Sequence, residues 1–530
     1  LREVEWQRSL DAMQGENSTY WQEIDAEAWE STVFIRTTRM KVMSALAIVS
    51  DVILQGGQIP FALIAAEDNE EQQQMAEMGY SVPGPDEVTM IISEMTKTIQ
   101  GQFADANADR ELMKVVLSMA LYGDGYLKAP VVEQSTKKGF RLGSMGYEQY
   151  NESKPIPSGN YVSVWDIYRD FENTDLQEGI GIIERSLISS YELRKKIGAP
   201  YFNEGAIEQV ISGAAGQFVF TDQQALPPNL RNVVNRKRNI MYLEFWGRVP
   251  MEFLDEYRDK AEYAPVFDGR SGHEIEVQCC LANDEIVRFV GNPEGRRPYC
   301  NAAWEIELDE VHGIGIADNL RSAQKTINSA VRQFINNKKL AGNAMFGGRS
   351  SFLAGGQNRK MSPGKWFELA EDVDDVKKAI QQFVVQDVGE GLLSLIGLSE
   401  RYADEESGLP KVMQGDVAEK KKPDTLGEMN ILVSQAGKYL GQVIRNIDEG
   451  IIEPWAEWLY EWNMMQGTGP RGNMRVTATG FSSFQNRIIR GENIQKLLTL
   501  VLSSPVLYAE AKARPMLEEI FKGMDVDPEQ

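Results

Sequence analysis

A chain of 530 residues, 42% hydrophobic and 25% charged, can bury more than one core, which excludes a disordered polypeptide and predicts about two to four domains. Its formal net charge of −23 argues against a conventional DNA clamp, because tight sequence-independent binders neutralise phosphates with Lys and Arg. The three cysteines, an adjacent pair Cys279 and Cys280 plus Cys300, have neither the number nor the spacing of a disulfide framework or a zinc site, so a reducing compartment is expected.

Helical periodicity covers roughly Trp6 to Leu54 and Pro85 to Ala120. The most apolar stretch, Val42 to Leu54, holds Asp51, and its extension to Ala66 crosses Gly56, Gly57, Gln58 and Pro60. No bilayer-spanning helix fits there, and a soluble chain without signal peptide or membrane partner is expected. The second helix runs into a turn-rich corner, Tyr122-Gly123-Asp124-Gly125, before the strand-like Tyr126 to Val132; a plain turn accounts for both glycines. Tyr161 to Asp170 alternates like a strand, and Asp166, Arg169 and Asp170 at its end read as surface charge rather than as acid/base groups. Met241 to Arg248, Ile275 to Leu281 and Glu285 to Val290 are short strand candidates separated by Asn283-Asp284 and Asn292-Pro293, which predicts an antiparallel sheet. His273 and His312, the only histidines, flank this unit with no partner at ligand spacing and read as structural hydrogen-bonders.

From Pro298 the chain passes through a Gly313-Ile314-Gly315 corner into one long helix reaching Asn343. Ile316, Leu320, Ala323, Ile327, Ala330 and Phe334 recur at steps of four and three, the apolar stripe of a helix packed along most of its length. Arg321, Lys325, Arg332 and Lys339 fall within about 40° of one another, a basic line that can face water or phosphate. Asp318 and Asn319 suit the start of the helix dipole, and Lys338 and Lys339 its end. A Gly-rich module follows, Ala344 to about Val385, with strand-like pieces at Ser351 to Leu353 and Lys365 to Leu369. Its acidic run Glu371, Asp372, Asp374, Asp375 lacks the Gly and Glu positions of an EF-hand loop and reads as a solvated or partner-facing patch. A second helix from Asp387 to Glu406 carries Leu392, Leu395, Ile396, Ser399 and Tyr402 on one side and stops at Gly408-Leu409-Pro410. Lys420, Lys421 and Lys422 then sit in a loop bounded by Pro410 and Pro423. From Thr425 a helical pattern runs to Ile451-Ile452-Glu453-Pro454-Trp455, where one helix is expected to end and another to begin. Trp455, Trp458, Leu459 and Trp462 at helical spacing predict a packed aromatic face, not a base-stacking platform. Beyond Gly467 to Pro470 lie a strand-like run, Met474 to Thr479, and amphipathic helices from Gln485 to Lys522.

Taken in order, the Leu121-to-Lys128 corner, the Tyr161-to-Asp170 segment, the Gly313-Ile314-Gly315 corner with its Ser322-to-Asn328 core, the Gly-rich module, the second helix, the Lys411-to-Leu426 loop and the long helix to Trp455 resemble the portal protein, or head-to-tail connector, of a tailed, podovirus-like double-stranded DNA bacteriophage. The resemblance implies a predominantly helical α+β chain with a wing (1–312), a stem helix (313–343), a clip (344–385), a second stem helix (386–407), a tunnel loop with a long wing helix (408–466) and a crown (467–530). It implies a homo-oligomeric ring of about twelve copies. Such a ring sits at one capsid vertex of the virion, is assembled in the host cytoplasm, and passes the genome for packaging and ejection. Its implied partners are a terminase motor, capsid and scaffolding proteins, a tail adaptor and duplex DNA without sequence specificity. On that reading Arg321, Lys325, Arg332, Lys339, Lys420, Lys421 and Lys422 face DNA; Glu371, Asp372, Asp374 and Asp375 of the clip meet partners; Leu320, Ile327 and Phe334 pack subunits. A mostly acidic wall also keeps a moving duplex from sticking.

No catalytic residue, cofactor or metal is implied. The sequence has no phosphate loop, no G-x-S-x-G nucleophile and no H-E-x-x-H helix, and Asp318 stands where a third glycine after Gly313 and Gly315 would make a dinucleotide fingerprint. Two other readings stay open: a different ring-forming virion head-tail protein, and a nuclease built on carboxylates scattered through the chain.

Overall fold

The computed structural model describes residues 2–15, 30–54, 58–65, 85–143, 146–213, 240–252, 254, 273–292, 295–343, 345–348, 380–409, 438–466 and 473–481. Both helices and strands occur among them, often in runs of one kind. The helices are α1 (Arg2–Gln14), α2 (Thr37–Ile53), α3 (Pro85–Asp105), α4 (Ala108–Tyr122), α5 (Ser190–Arg194), α6 (Glu204–Gly213), α7 (Ile316–Asn319), α8 (Arg321–Gly342), α9 (Gly389–Glu406) and α10 (Glu453–Gln466). The strands are β1 (Phe61–Ala65), β2 (Asp124–Gly143), β3 (Gly146–Val162), β4 (Ile167–Arg169), β5 (Gly181–Ile188), β6 (Ile240–Pro250), β7 (Glu274–Ala282), β8 (Glu285–Gly291), β9 (Tyr299–Ala303), β10 (Met345–Gly348), β11 (Ile380–Phe383) and β12 (Met474–Ala478). Two compact units form: one from Leu1–Trp6, Val42–Asp318 and Pro410–Gln530, the other from Gln7–Lys41 and Asn319–Leu409. Among the described residues no helix is long and apolar enough to cross a membrane.

Among the described residues, the first unit holds three antiparallel sheets. Strands β4 to β8 pair in sequence order, as a meander requires; β2 pairs with both β3 and β9; β1 pairs with β12 from Phe61↔Ala478 to Ala65↔Met474. The predicted strands of the meander agree with β6, β7 and β8, because alternation against turn residues is a direct mark of a half-buried strand. One apolar cluster joins Trp6, Tyr126, Trp165, Ile182 and Tyr299; another joins Leu193, Ile207, Ile240, Cys280 and Val287. The cysteines are free, and burial pushes the Cys279 thiol up to about 11 and the Cys280 thiol to about 12, so both stay protonated at neutral pH.

Two polar networks, one around Lys128 and one around the buried Arg297, help tie this unit together. Lys128 Nζ lies 2.6 Å from Glu184 and 2.8 Å from Glu244. The Tyr299 hydroxyl donates to Glu184 at 2.6 Å, while Trp246 Nε1 and Gln278 Nε2 donate to Glu244 at 2.7 and 3.0 Å. Burial alone would lower the ammonium's pKa; Glu244 and Glu184 outweigh it and hold Lys128 above its ordinary value. Arg297, 1% exposed, pairs with Glu276 at 2.7 Å and donates to the Leu176 carbonyl at 2.7 Å.

Four expectations are corrected, three by a break and one by a continuation. The helical pattern of Trp6 to Leu54 is broken by an extended segment at residues 31–36. The pattern of Pro85 to Ala120 divides at Asn107, whose φ of 51° is left-handed, a conformation that Asn tolerates better than most residues. The strand expected from Tyr161 to Asp170 stops at Val162 because the Ser163 side chain accepts from the Trp165 N–H and turns Val164–Asp166 into a 3-10 turn, which sends Trp165 into the core. Arg169, expected at the surface, is 6% exposed and donates to the carbonyls of Asn173 at 3.0 Å and Thr174. Asp166 pairs with Arg185 at 3.3 Å, and Asp170 accepts from the N–H groups of Glu172 and Ile180, which hold its carboxyl below the ordinary range.

The fourth correction is at Pro454. Helical residues 438–447 do not end there; they pass through a π turn, Asp448–Ile452, straight into α10. A wider turn accommodates a residue that lacks the N–H an α-helix needs. Trp455, Trp458 and Leu459 of α10 are buried and Trp462 is half-buried. Asp448, 4% exposed, accepts from the Phe481 N–H at 2.6 Å through Oδ2, and its Oδ1 has no partner. Burial, with Glu449 and Glu453 nearby, pushes this carboxyl up to about 7.

Candidate functional site

Two glycine motifs far apart in the sequence interlock at the end of α4. At Gly123, φ is 94°, and a Cβ there would lie 2.1 Å from the Gly313 carbonyl oxygen; a Cβ on Gly315 would lie 2.8 Å from the Gly123 nitrogen. Only glycine permits both the conformation and the approach. Asp124, 1% exposed, accepts from the Gly313 N–H at 3.0 Å, and its other oxygen is 2.7 Å from His312 Nδ1. The Trp304 N–H donates to the Gly123 carbonyl at 2.8 Å, and Glu305 and Ile314 exchange backbone bonds at 3.2 and 3.0 Å. Arg2 donates to the Gly313 carbonyl, and the Trp6 ring meets the His312 ring edge-on at 5.5 Å. His312 and Asp124 therefore act on the backbone of the corner from which the chain enters α7.

In the second unit α8 and α9 pack against each other as a helical hairpin. Leu320 and Ile327 are 0% and 2% exposed within one chain, so their burial is complete without a second copy; Phe334 is half-buried. Lys325 and Lys339 of the basic line are exposed, and Arg321 and Arg332 are half-buried. At the far end Asn337 clamps the return of the chain: its Nδ2 donates to the Gln386 carbonyl at 3.0 Å and its Oδ1 accepts from the Val388 N–H at 3.1 Å. Lys338 pairs with Asp387 at 2.6 Å and, with the Gly389 N–H, holds that carboxyl below its ordinary value. Strands β10 and β11 pair where the inserted module leaves and rejoins the hairpin.

The buried stripe of α9 runs through Ser399 and Ala403, with Leu392 and Ile396 half-buried beside it. Leu395 and Tyr402, expected on the packed side, instead face outward with Leu393 and Leu398, all between 41% and 54% exposed. At 100° per residue, Leu395, Leu398 and Tyr402 form a second apolar stripe that the hairpin leaves uncovered.

The extended residues 31–36 lie along α8 and are read by side chains four apart. Asn336 Oδ1 accepts from the Ser31 N–H at 2.7 Å, Arg332 Nε donates to the Val33 carbonyl at 2.9 Å, and Asn328 Oδ1 accepts from the Ile35 N–H at 2.8 Å. Gln324 closes the series: Oε1 accepts from the Thr38 N–H at 3.0 Å while Nε2 donates to the Ile35 carbonyl. The match is geometric, since four helical residues rise about 6 Å and two extended residues about 6.6 Å. Asn328 Nδ2 is buried with no partner, a loss of about 1–3 kcal/mol. Gln324, Asn328 and Asn336 were not foreseen; amides at every fourth position of one helix are the signal that marks them.

No family model and no curated protein matches the chain. Glu371, Asp372, Asp374, Asp375, Lys420, Lys421 and Lys422 lie outside the described residues, as do the strand-like pieces of the inserted module and the helices after Gln485. Among the described residues no group of three His, Cys, Asp or Glu side chains could hold a metal ion, and the half-buried carboxylates Glu184 and Glu244 are engaged by Lys128. Arg332 of the basic line is bonded to the chain's own Val33 carbonyl.

Proposed function

We propose that this chain is the portal protein of a tailed double-stranded DNA phage: a non-enzymatic ring at one capsid vertex through which the genome enters under an external motor and later leaves. The observation that carries the reading is the α8–α9 hairpin. One helix bears a basic line, the other an uncovered apolar stripe, and the strand pair β10–β11 stands where the intervening sequence leaves α8 and returns to α9. An apolar stripe of this kind needs a partner, and a neighbouring copy in a ring supplies one. The glycine corner at Gly123 and Gly313 supports the reading by fixing the backbone from which the chain runs toward the hairpin. In this proposal the inserted module meets the terminase and then the tail adaptor, and capsid and scaffolding proteins surround the ring.

Electron microscopy of the purified protein tests it. A closed ring with an axial hole is expected. A monodisperse monomer at micromolar concentration, with no ring on adding scaffolding protein, would sink the proposal.

A further inference from the structure

The amide series and the basic line share one side of α8. Counting 100° per residue from Gln324, the series Gln324, Asn328, Arg332, Asn336 sweeps about 120°, and Arg321, Lys325, Arg332 and Lys339 all fall inside that sweep. Residues 31–36 therefore cross the basic line at Arg332, which belongs to both sets, while Lys325 and Lys339 stay exposed on either side.

We infer that residues 31–36 are a displaceable strap, and that duplex DNA and the strap compete for this side of α8. The inference rests on reading α8 as a DNA-facing helix and adds a regulation that the reading does not contain. The bonds described above between the strap and α8 go to the strap's backbone, Thr32, Val33 and Arg36 stay exposed, and Phe34 and Ile35 are only half-buried, so the apolar area that resists its lifting is partial. Lifting it turns Gln324 Nε2, Asn328 Nδ2 and the Arg332 guanidinium outward beside Lys325 and Lys339, a row of donors suited to phosphate oxygens and indifferent to base sequence. Asn328 Nδ2, which the strap leaves without an acceptor, gains one. Each occupant then weakens the other through linked equilibria.

The test weakens the strap without touching α8. Ile35→Pro removes the N–H that Asn328 holds, and Ser31→Pro removes the one that Asn336 holds; the second serves if the first does not fold. Hydrogen exchange reports strap release, and titration with a short mixed-sequence DNA duplex at two salt concentrations reports binding. The released variant is expected to bind several-fold tighter, with a salt dependence steeper by about one phosphate contact. Adding Arg332→Gln should erase that gain. Loss of strap protection with unchanged or weaker affinity, or no DNA binding in either state, overturns the inference. Rings with no affinity gain would leave the portal reading standing without the strap's role; an affinity gain in a protein that forms no ring would do the reverse.

Discussion

Lys128 is the residue on which a half-buried network turns, because it faces Glu184 and Glu244 together. Lys128→Met would leave two half-buried carboxylates facing each other, at a cost smaller than the about 3–5 kcal/mol of a fully buried pair, read as a fall in the denaturation midpoint. Adding Glu184→Gln and Glu244→Gln should recover most of it, since an unpaired buried charge costs more than a missing pair. Asp448 behaves oppositely. Its folded-state pKa is raised from 3.8 to about 7, so its contribution to stability is complete below about pH 4 and is lost as pH rises through about 7. Asp448→Asn cannot ionise and keeps an acceptor for the Phe481 N–H. Thermal melts should show the variant gaining on the parent between pH 5 and pH 8; parallel melting curves across that range would refute the assignment. Neither residue was singled out in the sequence, where a Lys in a strand and an Asp in a helix look like surface charges.

At the scale of elements, the hairpin separates what holds one chain together from what can hold copies together. Ile327→Asp puts a charge into a helix face that is closed within the chain, so it is expected to unfold the hairpin, at several kcal/mol, before any question of assembly arises. Leu395→Glu with Leu398→Glu alters side chains already 41% and 44% exposed, so the chain should fold with an unchanged circular dichroism spectrum and fail to form rings by native mass measurement. Intact rings from the double variant would remove α9 from the interface. The α8 stripe and strands β6 to β8 were legible because burial imposes a period on apolar residues. The breaks at Asn107 and Ser163 and the π turn at Asp448 were not, because each is decided by one or two polar atoms that leave the apolar period nearly intact. The extended strap was hidden for another reason: its order comes from amides on a helix almost three hundred positions away in sequence.

For the whole molecule, composition indicated several cores and the motif order indicated a sheet-rich part before a helical hairpin, but not the discontinuous make-up of the two units, which no local pattern encodes. Nor did it indicate that β1 and β12 are partners, with Phe61 opposite Ala478. That pairing has a consequence during synthesis. The ribosome delivers about 5–20 residues per second, so β1 emerges roughly 20–80 s before the strand that completes it. For that interval the nascent chain carries an open strand edge, and the long closure makes this one of the last pairings to form. A chain cut before Met474 should hold β1 in its newborn state: more readily cleaved by protease near Phe61, prone to pair with other chains, and protected again when a peptide spanning residues 473–479 is added.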